Sequence, residues 1–315
     1  MSGAANDATP VPIPAGTPFR PTFDYVVIID WSAASSPVTG VDSIWTIMLD
    51  TRTGDGEPIN HSTRAAARDH LVEVLAATPH GTRTLVGIDV SLGYPAGFAA
   101  RAGLDDGSTP PWLSTWQHLA AEIDDDHRNR NNRWHVAAAL NRRLGVNHFW
   151  GAPASSAGPH LSRTKPVRMA SHLPELRAAE QRLARDGHRP FSIWQLLGVG
   201  SVGSQSLTAI PVMHQVRTHP LLERRCAVWP FETGLCLPSQ PDIVIAEVWP
   251  SSLDRSVIDA EPYPVKDARQ VSALAHLLAA EQGAESLAAW FEPGDGDDLD
   301  RAAIVAEEGW TLGVG

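Results

Sequence analysis

Three short apolar runs in this chain each end on an acid, and that pattern constrains the fold more than any other feature. Tyr25-Val26-Val27-Ile28-Ile29 leads into Asp30, Thr84-Leu85-Val86-Gly87-Ile88 into Asp89, and Asp242-Ile243-Val244-Ile245-Ala246 into Glu247. Runs of this length, rich in β-branched residues, read as strands. A carboxylate at the end of such a run is costly unless a cation or a chemical role compensates it. Three in one chain point to strand ends converging on one site. A fourth acid, Asp267, opens the helical pattern from Ala268 to Ala280.

The segments between these runs set the order of elements. Residues 1–22 are rich in Ala, Pro, Thr and Gly without periodicity and read as a disordered tail. The rest, 23–315, reads as one domain. A second strand is expected over Ser43–Leu49 and a short third over Pro58–Ser62. Thr63–Ala77 has helical spacing, with Leu71, Val74 and Leu75 on one side. Residues 93–240 are less regular, with helical patterns over Trp134–Leu144 and Leu173–Arg185 separated by Pro-, Ser- and Gly-rich connections. This stretch reads as a large, mostly helical cap inserted between the fourth and fifth strands. Outside it the order is strand, strand, weak strand, helix, strand, strand, helix. That is the order of a ribonuclease H-like fold, an α/β fold with a mixed central sheet and acids at neighbouring strand ends and on the last helix.

Bulk properties narrow the partners. With 315 residues, 43% of them hydrophobic, the chain can bury a large core. No apolar stretch approaches the ~20 residues that span a bilayer, and the first residues show no secretion signal. Only Cys226 and Cys236 are present, so a reducing, cytoplasmic setting is expected. The net charge of −11 disfavours coating of long DNA through its backbone and makes a nucleotide or a short nucleic acid an equally good substrate. The acidic piece Glu292–Asp300 has Leu299 at a ligand position and a misplaced glycine, which argues against a calcium loop.

Asp30, Asp89 and Asp267 are of the type needed to hold magnesium or manganese, ions that take oxygen ligands from few carboxylates plus water and phosphate. Two such ions hold the attacking and leaving oxygens in phosphoryl transfer. Glu247 would serve as a further ligand or base. A strand-end Asp is also a common turn former, and Asp267 also reads as a helix cap.

Several segments resemble those of one family. Ile28-Ile29-Asp30-Trp31-Ser32, Gly87-Ile88-Asp89-Val90-Ser91-Leu92-Gly93, Ala246-Glu247-Val248-Trp249-Pro250 and Lys266-Asp267-Ala268 look like the signature segments of a family of predicted nucleases with a ribonuclease H-like fold (domain-of-unknown-function 429 type). Asn141-Arg142-Arg143-Leu144-Gly145, Phe149-Trp150-Gly151, Gly198–Gly203 and Glu308-Gly309-Trp310 are similar to further segments of that family. The resemblance covers most of the chain after residue 24 and implies a metal-dependent phosphodiester hydrolase. Some relatives carry a label linking them to molybdopterin-dinucleotide cofactor synthesis, which implies an alternative: a nucleotide-binding accessory protein without hydrolysis. A phosphotransferase of the actin-like branch is a third reading. The chain departs from wider relatives at Gln270, three residues after Asp267, where their last helix carries a second acid.

Two other stretches are candidates for phosphate contacts. Gly198-x-Gly200-x-x-Gly203, followed by Ser204, has the form of a dinucleotide fingerprint if Phe191–Leu197 is a strand and Ser204–Val216 a helix, although Pro211 interrupts the latter. A lone pattern of this form is common by chance, and a structural turn is the preferred reading. His160, Arg163, Lys165 and Arg168 form the most basic stretch, either a loop folded over the acids or a solvated surface. Arg128, Arg130 and Arg133 lie beside Asp124–Asp126, which suggests local salt bridges. Trp112, Trp116, Trp134 and Trp150 serve either as base-stacking platforms or as the core of the middle section.

Overall fold

The structure, a computed structural model, describes residues 22–167, 172–294 and 299–315. The expected tail up to residue 21, Arg168 and part of the acidic loop 292–300 lie outside the described residues.

Six strands form one mixed sheet: β1 (Tyr25–Asp30), β2 (Ile44–Asp50), β3 (Ile59–His61), β4 (Thr84–Ile88), β5 (Cys226–Val228) and β6 (Ile243–Glu247), in the order β3-β2-β1-β4-β6-β5. β2 runs antiparallel to both β1 and β3, whereas β1, β4, β6 and β5 are mutually parallel. The apolar composition of the central strands follows from burial on both faces. Side chains of alternate residues point to opposite faces, so Val27, Ile29, Val86, Ile88 and Ile245 join one core and Val26, Ile28, Leu85, Val244 and Ala246 join another.

Helices cover both faces. On the first lie α1 (Arg64–Ala77), the single turn α2 (Phe98–Arg101), α3 (Pro111–Glu122) and α4 (Arg133–Leu144). α1 is capped by Thr63, whose hydroxyl accepts from the Ala66 N–H at 3.2 Å, and it buries Ala67, Leu71 and Leu75 at i, i+4, i+8 spacing. A short helix, α5 (Ala178–Arg185), packs Ala179 and Leu183 into the second core. α6 (Val202–Arg217) returns to the first face with Leu207, Ile210 and Met213. After the turn α7 (Arg255–Asp259), α8 (Lys266–Gly283) covers the second face with Val271, Leu274, Ala275 and Leu278. Among the described residues, no helix is long and apolar enough to cross a membrane.

The middle section departs from expectation in several places. Phe191–Leu197 is not a strand but an irregular segment, tied to its surroundings by an isolated bridge between Gln195 and Trp150. The helix expected from Leu173 begins only at Ala178, because Pro174 disfavours helix at the residue before it and Arg177 takes the N-cap position. α6 runs through Pro211 without interruption, its neighbours Leu207, Ile210 and Met213 being fully buried, so tertiary packing offsets a local cost of about 3 kcal/mol. β5 lies inside the expected insertion and joins the sheet beside β6. Trp112 and Trp116 belong to the first core, with the partly buried Trp134 and Trp150 packed against it, and Trp112 stacks on Phe231 at 5.0 Å. The middle section therefore shares one core with the sheet.

Candidate functional site

The parallel register brings the acids together. Ile29 is level with Ile88, and Ile88 with Glu247, so β1, β4 and β6 end side by side. The ladder continues one step further, with Asp89 N–H donating to Ile29 O at 2.9 Å and Val248 N–H to Ile88 O at 3.0 Å. Asp30 and Asp89 thus leave adjacent strand ends. Asp267 arrives from the first turn of α8, which packs against β1 and β2, and its Oδ2 accepts from the Asp42 N–H at 2.8 Å. Asp42 itself adopts the left-handed region, with a φ of 58°.

Asp30 feels the charges of the other two acids. Burial, then the charges of Asp89 and Asp267, hold Asp30 well above the usual carboxylate range. Burial, then the neighbouring Glu247, pushes Asp89 up to about 7. Asp267 is also raised, chiefly by burial. The cation that opposes all three shifts is Lys266, a residue adjacent to Asp267 in sequence. Neither Asp30 nor Asp89 accepts a side-chain hydrogen bond from a described residue that would hold its charge. Such a group of like charges with one lysine favours binding of a further cation.

Glu247 has a different environment. Its Oε1 accepts from Arg177 Nη2 at 2.6 Å and Thr311 Oγ1 at 2.7 Å, and its Oε2 from Arg177 Nη1 at 2.9 Å and Leu92 N–H at 3.0 Å. Both oxygens are fully engaged inside the protein. Arg177, wholly buried, also bonds to Glu180, to Ser91 Oγ at 3.0 Å and to Glu308 O at 2.8 Å. Glu247 therefore stands behind Asp89 as an anchored charge, and its carboxylate points to a guanidinium. Gln270 is buried, and its Nε2 donates to Ser251 Oγ at 3.0 Å. Among the described residues, no three His, Cys, Asp or Glu side chains are gathered closely enough to form a ready-made metal cage. Magnesium does not require one, since one or two carboxylates with water and phosphate suffice. Asp30, Asp89 and Asp267 fit that demand.

The glycine loop is put to another use. Gly198 and Gly200 adopt φ values of +96° and +73°. A Cβ at Gly200 would overlap the Phe191 ring, and one at Gly203 would overlap Ile193 O. Amides that a phosphate cradle would need are already paired: Gly203 N–H donates to Gln195 O at 3.0 Å and Ser204 N–H to Ser201 O at 3.0 Å. The Ser204 hydroxyl donates to Leu196 O at 2.6 Å and accepts from Arg133 Nε at 3.0 Å. With no strand before it, the loop lacks the strand–turn–helix setting of a dinucleotide fingerprint. It is a tight turn that seats Phe191.

Of the basic stretch, Arg163 and Lys165 lie on an exposed loop, and Lys165 pairs with Glu175 at 3.2 Å. Arg130 pairs with Asp126 at 2.7 Å, the local bridge expected there. Arg133 instead is buried and reaches Ser204 and Ser35.

A cavity of about 190 Å³ opens beside Asp89, lined also by Ser91, Phe191, Gly200, Gln205 and Trp249. Arg177, Lys266 and Phe191 were not singled out by sequence. Lys266 had a signal in its adjacency to Asp267, but nothing around Arg177 in Glu175-Leu176-Arg177-Ala178 marks it as buried. In comparisons with known proteins, no family model, no curated protein and no solved structure matches this chain.

Proposed function

We propose that this chain is a divalent-metal-dependent phosphodiester hydrolase built on a ribonuclease H-like core. The observation that carries the reading is the set of Asp30, Asp89 and Asp267 at one end of parallel strands, half-buried, with the charges of the other two acting on Asp30 and Lys266 opposing all three shifts. The strand order β3-β2-β1-β4-β6 with β2 antiparallel supports the core assignment. Asp30, Asp89 and Asp267 would hold magnesium or manganese. When bound there, a divalent ion supplies neutralisation of phosphoryl charge and activation of water.

The chain's own residues supply the rest. Asp89, near 7 without a cation, is poised to take up a proton at neutral pH. Lys266, with its ammonium among the acids, offsets charge on the substrate or on the cluster. Arg177 keeps Glu247 out of the ligand set and fixes Ser91, two residues beyond Asp89. Gln270, neutral and tied to Ser251, leaves the cluster one acid short of the richest arrangement of this kind.

The test is cleavage of DNA, RNA and dinucleotide substrates with manganese, comparing the wild type with Asp30→Asn. A loss of at least about a hundredfold is expected on removing a direct ligand of the reacting centre. Undiminished turnover by Asp30→Asn would sink the reading. An accessory protein without hydrolysis remains the second reading, favoured by Gln270: it predicts nucleotide binding with no turnover by either protein.

A further inference from the structure

We infer that two adjoining hollows hold one small nucleotide, its base against Phe191 and Trp249 and its phosphates against Lys266 and Arg269. The inference rests on the hydrolase reading for what happens to that ligand, but not for where it binds.

The first hollow is the cavity beside Asp89. Phe191 and Trp249 both line it, and Phe191 is 46% exposed, an aromatic ring that gains little from burial in the unliganded chain. Its position is set by the glycine loop, because only a residue without Cβ at Gly200 lets the ring lie against the backbone there. The loop therefore presents an aromatic platform instead of a phosphate cradle. Aromatic platforms beside a phosphate-handling site are the general means of holding bases without regard to sequence. Gln205 adds a polar edge. Its Nε2 donates to Trp31 O at 2.8 Å, which leaves Oε1 with no donor among the described residues.

The second hollow, about 360 Å³, is lined by Arg255, Lys266, Arg269, Asp259, Gln270 and Ser251. Asp259 pairs with Arg255 at 3.2 Å and with Arg269 at 3.6 Å, so two of the three cations lining this hollow share its one carboxylate. Arg269 Nε is buried and has no hydrogen-bond partner among the described residues. Unpaired guanidinium donors in a cationic hollow suit phosphate oxygens.

Ser251 lines both hollows, so they adjoin, the first reaching Asp89 and the second Lys266. A flat ring alone would fill only the first, and a sugar phosphate only the second. A ligand with a base and phosphates satisfies both. The net charge of −11, and the placement of Arg163 and Lys165 away from the cavity, leave no basic track for a long duplex.

The experiment is calorimetric titration of the wild type in EDTA with adenosine 5′-monophosphate, ribose 5-phosphate and adenosine. The nucleotide should bind at least about tenfold more tightly than either fragment. Phe191→Ala should weaken the nucleotide about tenfold and leave ribose 5-phosphate unchanged, with Phe191→Tyr restoring affinity. Arg269→Ala should weaken nucleotide and sugar phosphate alike and leave adenosine unchanged. Phe191 is half exposed, so its variants should fold, and circular dichroism checks this. Equal binding of nucleotide and ribose 5-phosphate by the wild type overturns the inference, as does a folded Phe191→Ala with wild-type affinity. Asp30→Asn separates the two claims. If it binds the nucleotide normally but still cleaves, the hydrolase reading fails alone; if it loses cleavage while the wild type shows no preference for the nucleotide, this inference fails alone.

Discussion

Arg177 grips Glu247 with two parallel hydrogen bonds, at 2.6 and 2.9 Å, in a site where both side chains are buried. This pair links α5 to the end of β6 and sits directly behind Asp89. It decides which of the strand-end acids faces outward and which is structural.

Removing the guanidinium leaves Glu247 and Glu180 buried without a counterion. Breaking a buried pair this way costs about 3–5 kcal/mol. Arg177→Met should therefore lose roughly that much in urea unfolding, whereas Asp30→Asn should not. A loss under about 1 kcal/mol would mean that the two glutamates are solvated or protonated in the folded protein.

Asp89 sets a pH dependence with a definite sign. Its folded pKa, about 7, lies above the usual carboxylate value, so the folded state binds the proton more tightly than the unfolded state. Below the unfolded pKa the two states are equally protonated. As pH rises toward 7 the folded protein progressively loses stability from this group, by a few kcal/mol at most. In EDTA, the stability difference between Asp89→Asn and wild type should thus grow in the variant's favour between about pH 5 and about pH 8. A difference that stays flat across that range would show that Asp89 is not desolvated. Manganese should restore the wild type at the upper pH, because it replaces the proton.

Gln270 tests the ligand set by addition. Gln270→Glu places a second acid one turn along α8 from Asp267 and breaks the bond to Ser251. Without metal the variant should melt lower than the wild type, since it adds a buried like charge. With manganese its thermal upshift should exceed that of the wild type. Equal upshifts would place residue 270 outside the cation's reach.

The segment holding Glu307 closes on the start of α2. Its Oε2 accepts from Gly97 N–H and its Oε1 from Ala99 N–H, both at 2.6 Å, which satisfies the open amides at the start of α2. Glu307→Ala should cost about 2–4 kcal/mol by leaving two donors unmet, and Glu307→Gln about half of that, since the amide offers a single acceptor oxygen. Chemical denaturation reads both, and equal losses would refute the two-bond account.

The sequence by itself determined the central strands and the acids at their ends. A strand buried on both faces must be written in apolar residues, so Tyr25–Asp30, Thr84–Ile88 and Ile243–Glu247 are conspicuous as local text. The helices of α1 and α8 were equally legible from their apolar stripes. Tertiary structure alone decided the division of labour among the acids. Glu247 and Asp89 look alike in sequence, yet one is held by Arg177 from a segment 70 residues distant, whereas the other is raised by its burial and by Glu247, with only Lys266 opposing. The two readings of the glycine loop were left open by sequence for the same reason. Its spacing is that of a phosphate cradle, but whether its amides are open depends on Gln195 and Ser201, and whether its missing Cβ serves a ligand or a ring depends on Phe191. Propensity and periodicity act between near neighbours, whereas the pairing of a buried charge is settled by whatever the fold brings beside it.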